Sequence, residues 1–476
     1  MAVPARPLRL LLLSLVLWIG AAEQAAAATP DTPPVFALQP TQLQADSWIA
    51  RAPAAQQVRL QADQIAAFNA RLLQEDASMQ ALDALPQQLP GAQVRARIQT
   101  RSATPTRALY DDDGRALGSD RLAALQQALA LDAIPTGVQP AYALVVRRAA
   151  LRRFPTTQRV FTRPGERDID RFQESALYPG TPVAILHHSA DGAWAFVQSA
   201  NYAAWIASDQ LAVGTRAQVL DYAQRTPRLV VTGARVSSVY TPEQADVSAL
   251  TLDMGTALPW LRDWPAQQPV NGQLPLAAYV VQLPRRAADG RLQLVPALIP
   301  RAADVQPGPL PASDAALLRQ AFKFLGERYG WGNDYDARDC SGFVLDVYRS
   351  LGIALPRNTG DQARSPLLQR LPFDAQAPRS QRLRQLAQLQ VGDLVHIPGH
   401  VMLVIGQQDG APWVIHDTAG ASYRTADGHV QRAAWNGVVV TPLLALLGDD
   451  GRPFVDRITS LQRILPTTST PMSPSP

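Results

Sequence analysis

Hydrophobic and polar residues follow different periods in successive parts of the chain. Residues 55–82, rich in Ala and Gln, place apolar residues at helical spacing, and a second helical run begins at Ser119, a plausible N-cap. The pattern then changes to short alternating segments separated by Gly, Pro and Asp turn signals, which is typical of a small β-barrel. Residues 228–304 show the same pattern without repeating the sequence. We therefore expect a mainly helical segment followed by two small barrels.

The last third of the chain combines an amphipathic helix with a hairpin. A Pro-rich linker ends at Ser313, a plausible N-cap for the next helix. After Cys340, apolar residues recur on one helical face until Gly352, which can end the helix. In "GDLVHIPGHVMLVIG" and the returning "PWVIHD", a turn brings His416 within a few residues of His400, with the register left open. The pattern predicts an α+β multidomain protein.

These changes of pattern divide the chain into segments. The expected boundaries are 1–28 for a signal peptide, 29–155 for an N-terminal stabilising region, 156–218 and 219–308 for the two barrels, 309–450 for the α+β domain and 451–476 for a largely disordered tail. The signal peptide is indicated by Arg6 and Arg9 before an apolar run and by an A-x-A site before Thr29. An uncleaved anchor is the alternative. Because no cysteine follows the apolar run, lipid attachment there is excluded. We expect export, to the periplasm in a cell with two membranes.

Composition narrows the range of partners. Hydrophobic residues make up 47% of the 476 residues, which is ample for large cores, and the formal net charge is +4. Lys323 is the only lysine, and the arginines form no basic block. We therefore expect no nucleic-acid partner and, after signal removal, no stable membrane insertion.

Cys340 is the only cysteine in the chain. An odd thiol in an exported protein is a reactive group or an intermolecular bridge, with a buried inert cysteine as the third alternative. The helix pattern places Cys340 in the first turn, where unpaired N–H groups and the helix dipole lower a thiol's pKa. Asp339 opposes this effect unless its carboxylate is turned toward a cation. The position favours a nucleophile.

A cysteine nucleophile needs an imidazole as its base and a group that orients this imidazole. His400 at the head of the hairpin fits the base, and His416 on the returning strand fits the orienting group. His396, four residues before His400, is the competitor. A single cysteine with dispersed histidines lacks the usual zinc-ligand spacing, so we expect no metal and no cofactor.

The combined motifs make the chain recognisable. "YGWGNDYDARDCSGFVLDVYRSLGIALPRNTGDQA", then "VGDLVHIPGHVMLVIG" and "WVIHD", resemble the NlpC/P60 family of cell-wall cysteine peptidases over about 310–450. The resemblance implies a papain-like domain in which the cysteine helix packs on an antiparallel sheet that carries the histidines. It implies Cys340 as nucleophile, His400 as base and His416 as the third polar member. The rest of the chain is similar to the subgroup with an N-terminal stabilising segment and two SH3-like barrels.

The resemblance also implies a substrate. This subgroup hydrolyses the γ-D-glutamyl–diamino acid bond of peptidoglycan stem peptides and commonly favours a free N-terminal L-alanine. Asp339 would pair with that alanine's ammonium; an N-cap role is the alternative, and the two roles are compatible. The other substrate-binding candidates are Ser341, Tyr202, Tyr329, Trp331, Arg357, Thr359 and, more weakly, Glu174. For Tyr202 a place on the barrel surface is the alternative, and for Tyr329 and Trp331 it is core packing.

Other classes of protein remain open at this point. The barrels could hold the cell wall while the last domain is an inactive scaffold, although the complete Cys/His/His set argues against decay. An amidase or acyltransferase on the same fold is a further alternative. Asn333 stands where family members often have glycine, a departure that we do not expect to affect catalysis.

Overall fold

The structure, a computed structural model, describes residues 38–425 and 427–467. The predicted signal peptide lies outside the described residues. The N-terminal region contains α1 (Ala45–Ile49), α2 (Ala62–Glu75), β1 (Leu89–Pro90), α3 (Gly91–Arg101), α4 (Ser119–Ala128) and β2 (Gly137–Val138). The helical pattern over 55–82 is thus a helix only within α2, and Gly118 rather than Ser119 is the N-cap of α4.

The N-terminal region packs against two different cores. Trp48 and Ile65 are buried in the hydrophobic cluster that also contains Cys340. Val94 and Ile98 on α3 are buried instead with the aromatic residues of the first barrel. This segment therefore joins the barrel to the C-terminal domain, because each of its helices buries its apolar face on one of them.

The first barrel is a seven-stranded antiparallel sheet. Its strands are β3 (Ala141–Val145), β4 (Ala149–Arg152), β5 (Gln173–Leu177), β6 (Pro182–His188), β7 (Trp194–Gln198), β8 (Ala203–Ala207) and β9 (Leu211–Gly214), in the spatial order β5-β4-β8-β7-β6-β3-β9. The expected boundary at residue 156 is wrong, because β3 and β4 belong to this sheet. Alternating side chains fill two cores: Phe196 and Trp205 face one, and Val197 and Ile206 face the other.

A second β region follows helix α5 (Arg216–Gln224), which Thr215 caps by accepting a hydrogen bond from the N–H of Gln218. Its strands are β10 (Arg228–Val231), β11 (Arg235–Ser237), β12 (Thr251–Asp253), β13 (Ala257–Pro259), β14 (Ala278–Arg286), β15 (Leu292–Pro300) and β16 (Val305–Pro307). They form the sheet β13-β10-β16 and the antiparallel pairs β11-β12 and β14-β15 around a core of their own.

The C-terminal domain is built on a six-stranded sheet. Its elements are α6 (Asp314–Phe322), α7 (Cys340–Ser350), α8 (Thr359–Arg364), β17 (Gln369–Pro372), α9 (Arg379–Leu386), β18 (Leu394–Ile397), β19 (His400–Gln408), β20 (Ala411–Thr418), β21 (Ala421–Arg424), β22 (Val430–Ala433), β23 (Gly437–Pro442) and β24 (Ser460–Arg463). The sheet order is β17-β24-β18-β19-β20-β23. Ser313 caps α6 as predicted, accepting a hydrogen bond from the N–H of Ala316.

The expectation of a disordered tail after residue 450 is wrong for the residues that form β24. This strand lies inside the sheet, paired with β17 on one side and β18 on the other. Ser460, Leu461 and Gln462 are all buried there, because the strand is paired on both edges and covered on both faces. Residues 468–476 lie outside the described residues.

A buried arginine connects the C-terminal domain to the second β region. Arg338, fully buried, makes ion pairs with Asp253 at 3.0 Å, Glu327 at 2.8 Å and Asp346 at 2.8 Å. Arg148 from the first barrel pairs with the same Asp253 at 2.5 Å. Since Arg338 lies two residues before the cysteine, this network anchors the start of α7. Within the described residues, no helix has both the length and the apolar character needed to cross a membrane.

Candidate active site

The cysteine lies at the first position of α7, as the pattern predicted. Asp339 is the N-cap, and its side chain accepts a hydrogen bond of 2.8 Å from the N–H of Gly342. The sulfur of Cys340 is buried, 3.5 Å from the hydroxyl oxygen of Thr359 at the start of α8. It also accepts a hydrogen bond from the backbone N–H of Val401. The nucleophile candidate therefore lies where the mouth of α7 meets the head of β19.

The surroundings of the sulfur do not favour a thiolate. Burial, followed by the negative charge of Asp339, raises the pKa of the Cys340 thiol to about 11, although the bonds from Thr359 and Val401 act the other way. The expectation of a lowered pKa is therefore wrong. A helix N-terminus contributes only about 0.3–1 kcal/mol at exposed sites, and desolvation outweighs it here. In the free protein this thiol is protonated.

The two histidines of the hairpin are bonded to each other. Nε2 of His400 lies 2.8 Å from Nδ1 of His416, and Nε2 of His416 lies 3.1 Å from the hydroxyl of Thr441 on β23. The pairing of Leu403 with Ile415 puts both histidines on one face of the sheet in a diagonal relation. The sequence pattern did not fix the register of this hairpin, and the register in the structure allows His400 and His416 to form a hydrogen bond.

Both rings are neutral at pH 7. Burial lowers the pKa of His400 to about 4, against the opposing charge of Asp339, and lowers the pKa of His416 well below its ordinary range. We assign the single proton of His416 to Nε2, where it is donated to Thr441, so that Nδ1 accepts from His400. His400 then presents an unprotonated Nδ1, which is the nitrogen a base needs.

His396, the competing base, has a different environment. It is fully buried within β18, and neither ring nitrogen has a hydrogen-bond partner among residues 38–425 and 427–467. Burial lowers its pKa to about 3. The structure joins His400, not His396, to the polar chain through His416.

The carboxylate of Asp339 is enclosed by donors. Arg357 donates to Oδ1 at 3.1 Å and to Oδ2 at 2.9 Å, while Ser341 donates to Oδ1 at 3.1 Å. The N–H groups of Gly342 and Gly332 complete the set at 2.8 and 3.1 Å. The alternative that Asp339 caps the helix is therefore confirmed, and Ser341 and Arg357 are brought against this carboxylate.

Asn333 belongs to the same cluster, which the sequence did not indicate. Its side-chain oxygen accepts from Arg357 at 3.0 Å and from the backbone N–H of Asp339 at 3.3 Å. Its φ of +58° is in the left-handed region, which glycine adopts freely and asparagine tolerates. A Cβ at Gly342 would lie only 2.1 Å from that oxygen, so glycine is required there. Asparagine at 333 thus keeps the turn and adds an acceptor.

The barrel reaches the same cluster through β5. Nε of Arg357 donates to the hydroxyl of Ser175 at 2.7 Å. Trp331 donates from its ring to the carbonyl of Gln173 at 3.2 Å, and Gln173 donates back to the carbonyl of Gly332 at 2.9 Å. Trp331 therefore sits at the junction of barrel and C-terminal domain. The structure thus makes the first barrel one wall of the site.

Tyr202 and Glu174, two of the substrate-binding candidates, lie together on the barrel. The Tyr202 hydroxyl donates to Glu174 Oε2 at 2.6 Å. A residue that the sequence did not single out, Arg101 at the end of α3, pairs with the same oxygen at 2.5 Å and with the Tyr202 hydroxyl at 3.0 Å. Its guanidinium carbon stands 4.4 Å from the centre of the Tyr202 ring.

The remaining predicted residue, Tyr329, is nearly buried before the turn that leads to the cysteine. Burial, followed by the proximity of Cys340 and Asp339, raises the pKa of Tyr329 well above its ordinary range. Its hydroxyl is therefore a neutral donor at every physiological pH. This is the protonation state that a group facing a developing oxyanion requires.

Three features of this site had no usable signal in the sequence. Thr441 lies in a strand of valines, and nothing in that strand indicates a partner for His416. Arg101 comes from a helix more than 200 residues before the cysteine. Asp417 follows His416 in the chain, is fully buried, and has no side-chain hydrogen-bond partner in the described part of the chain; only the backbone N–H of Thr418 acts on its carboxylate.

Comparisons with known proteins agree with this architecture. The family model described as "NlpC/P60 family" matches residues 326–440, and the "SH3 domain (SH3b1 type)" model matches residues 159–207. The chain therefore contains an NlpC/P60 domain, preceded by an SH3 domain, and the resemblance seen in the sequence is confirmed.

Curated relatives match only in part. The chain is 48% identical over 48 residues to the "Probable endopeptidase p60" of Listeria innocua, which is 10% of each protein. It is 43% identical over 58 residues to the "Gamma-D-glutamyl-L-lysine dipeptidyl-peptidase" of Bacillus cereus, 12% of this chain and 17% of that one. The chain thus spans less than a fifth of the length of either relative.

A solved structure extends the likeness to nearly the whole fold. The NlpC/P60 endopeptidase from Photobacterium damselae subsp. piscicida aligns with 87% of this chain and 96% of its own, at 18% identity and a TM-score of 0.67. At this identity the likeness concerns the fold. Because 87% of the chain is aligned, the likeness extends well beyond the C-terminal domain.

Proposed function

We propose that this protein is a cysteine peptidase that hydrolyses the γ-D-glutamyl–diamino acid bond of peptidoglycan stem peptides. The observation that carries the proposal is the chain of hydrogen bonds from His400 through His416 to Thr441. His400 begins β19, the strand whose backbone contacts the Cys340 sulfur. The choice of bond is supported by the partial match to a γ-D-glutamyl-L-lysine peptidase.

The reaction begins from a neutral pair. Nδ1 of His400 takes the thiol proton as the sulfur of Cys340 attacks the γ-glutamyl carbonyl carbon, since burial disfavours a standing thiolate and imidazolium. The backbone N–H of Cys340 and the Tyr329 hydroxyl are the donors for the oxyanion. His400 returns the proton to the leaving amine, which departs and leaves a thioester on Cys340. His400 then takes a proton from water as that water attacks the thioester carbonyl, and it gives this proton to the departing sulfur, so that the γ-glutamyl acid is released and the neutral Cys340–His400 pair is restored.

The third member of the chain acts without changing its own charge. In our assignment His416 accepts from His400 Nε2 both before and after His400 gains its second proton. The imidazolium that forms is therefore stabilised by an acceptor already in place, and the ring is held in one orientation.

We further propose a preference for stem peptides with a free N-terminal L-alanine. The groups that would receive its ammonium are the carboxylates of Asp339 and Glu174 and the hydroxyl of Tyr202. The bond from Arg357 to Ser175 supports this, because it ties the Asp339 cluster to the strand that carries Glu174. An exported protein acting on the cell wall fits the predicted signal peptide.

The deciding experiment incubates the protein with L-Ala-γ-D-Glu-meso-diaminopimelate and identifies the products by mass. We expect L-Ala-D-Glu and free diaminopimelate from the wild type, and no product from Cys340→Ala with an unchanged circular dichroism spectrum. Full activity of Cys340→Ala would overturn the proposal. Cleavage of a different bond would favour an amidase, and retention on purified sacculi without any release would favour a wall-binding module.

A further inference from the structure

Arg101, Glu174 and Tyr202 form a cation site whose cation is supplied by the protein itself. The guanidinium of Arg101 is held by a carboxylate at 2.5 Å, a phenol oxygen at 3.0 Å, the carbonyl of Ala203 at 2.9 Å and the face of the Tyr202 ring. Carboxylate, neutral oxygens and an aromatic face are also what a substrate ammonium requires. Arg101 therefore uses the groups that a free alanine amine would need.

The charges around this end of the site are already balanced. Asp339 is paired with Arg357 and Glu174 with Arg101, so each candidate acid has its own arginine. An arriving ammonium finds no unmatched carboxylate here. It gains a full ionic partner only if one of the two arginines leaves.

The two arginines differ in how easily they can leave. The Arg357 side chain is 5% exposed and donates to Asp339, Ser341, Asn333 and Ser175. The Arg101 side chain is 28% exposed, and partly exposed ion pairs are weak. Arg101 and Tyr202 line a cleft of about 1000 Å³, also lined by Asn358 beside Thr359, which gives the guanidinium room to swing aside.

We propose that Arg101 is a specificity-determining residue that occupies the place of the substrate's N-terminal ammonium and is displaced by it. This inference rests on the proposed stem-peptide function and adds α3 of the N-terminal region to the substrate site. The displaced ion pair offsets part of the gain from binding a free amine. The wild type therefore discriminates only modestly between free and N-acylated alanine, and loss of Arg101 sharpens that discrimination.

The test compares L-Ala-γ-D-Glu-meso-diaminopimelate with its N-acetyl form in the wild type, Arg101→Gln, Arg101→Lys and Arg97→Gln. Arg97 is the matched control, one turn earlier on α3 in the same cleft, where it donates to Gln198 at 3.3 Å rather than to Glu174. For Arg101→Gln we expect the ratio of kcat/KM, free over acetylated, to rise about fivefold through a lower KM for the free amine. Arg101→Lys and Arg97→Gln should leave the ratio near that of the wild type.

A binding measurement separates this inference from the proposed function. Calorimetry can measure the affinity of the dipeptide L-Ala-D-Glu for Cys340→Ala, with and without Arg101→Gln, and it needs no turnover. We expect the dipeptide to bind more tightly to the variant that carries the glutamine. If no peptide is cut by the wild type while this gain is seen, the proposed function fails and the role of Arg101 stands. An unchanged or reduced ratio together with unchanged or weaker dipeptide binding would overturn the role of Arg101.

Discussion

Two aspartates are chain neighbours of the candidate catalytic residues, and the fold treats them in opposite ways. Asp339 precedes Cys340 and is surrounded by donors, with Arg357 on both oxygens. Asp417 follows His416 and is fully buried, with no side-chain hydrogen-bond partner for its carboxylate within the described residues. Burial, followed by the charge of Asp339, raises the pKa of Asp417 well above its ordinary range.

The difference shows that the position of an acid beside a catalytic residue does not decide its charge. A buried carboxylate stays charged only where a cation and N–H donors replace water, and otherwise it binds a proton. Asp339 acts as a charge on Cys340 and His400, whereas burial raises the pKa of Asp417 and so disfavours its charged form. The surroundings thus stabilise the charged form of Asp339 and disfavour that of Asp417.

The largest expected effect comes from removing the cation of the paired acid. Arg357→Met leaves the charge of Asp339 buried without an arginine, and loss of one partner of a buried pair typically costs about 3–5 kcal/mol. Urea denaturation followed by circular dichroism measures this. Arg364→Met is the control, since that arginine is 70% exposed in its pair with Asp361. Equal stability of both variants would contradict the contrast drawn above.

Asp417 should lower the stability of the folded protein as the pH rises. Its folded pKa is raised, so the unfolded chain loses this proton near pH 4 while the folded chain keeps it, and stability falls as pH rises toward the folded pKa. Relative to Asp417→Asn, the wild type should lose up to about 1.4 kcal/mol per pH unit above pH 4. Thermal unfolding of both proteins between pH 4 and 8 tests this, and effects of the buried histidines cancel in the difference. A constant difference across this range would show that Asp417 is ionised.

The pH profile of activity sharpens the comparison at His400. Because its pKa is lowered to about 4, it remains an unprotonated base at pH 5.5, where an ordinary histidine would be about tenfold depleted of that form. We expect kcat/KM to change little between pH 7 and 5.5 and to fall toward pH 4. Asp417→Asn should leave this acid limb in place, because burial and Asp339, not Asp417, set the pKa of His400. Tryptophan fluorescence confirms folding at each pH, and a limb near 6.5 would contradict the buried neutral base.

The smallest effect is expected at the far end of the hydrogen-bond chain. Thr441→Val removes the acceptor for His416 Nε2 while keeping the shape of the side chain, which typically costs about 1 kcal/mol, or roughly fivefold in kcat. Thr441→Ser, which keeps the hydroxyl, should restore most of the rate. Equal rates for valine and serine would show that Thr441 only packs.

Local patterns in the sequence account for much of the site. The 3.6-residue period after Cys340 predicted the helix, the alternation around His400 predicted the hairpin, and Ser313 was recognised as a cap. These signals are local, so a single stretch of chain carries each of them. The errors concern neighbours distant in sequence: β24 pairs inside the sheet, and β3 and β4 join the barrel.

By itself, the sequence determined which side chains are candidates for the chemistry: one thiol, two histidines on a hairpin and an acid that caps a helix. Only the tertiary structure decided their charge states and their further partners. Desolvation keeps the thiol and the imidazoles neutral, and contacts with distant segments supply Arg357, Thr441 and Arg101. The physical reason is that protonation and ion pairing depend on what replaces water around a group, and that is set by the packing of the whole chain.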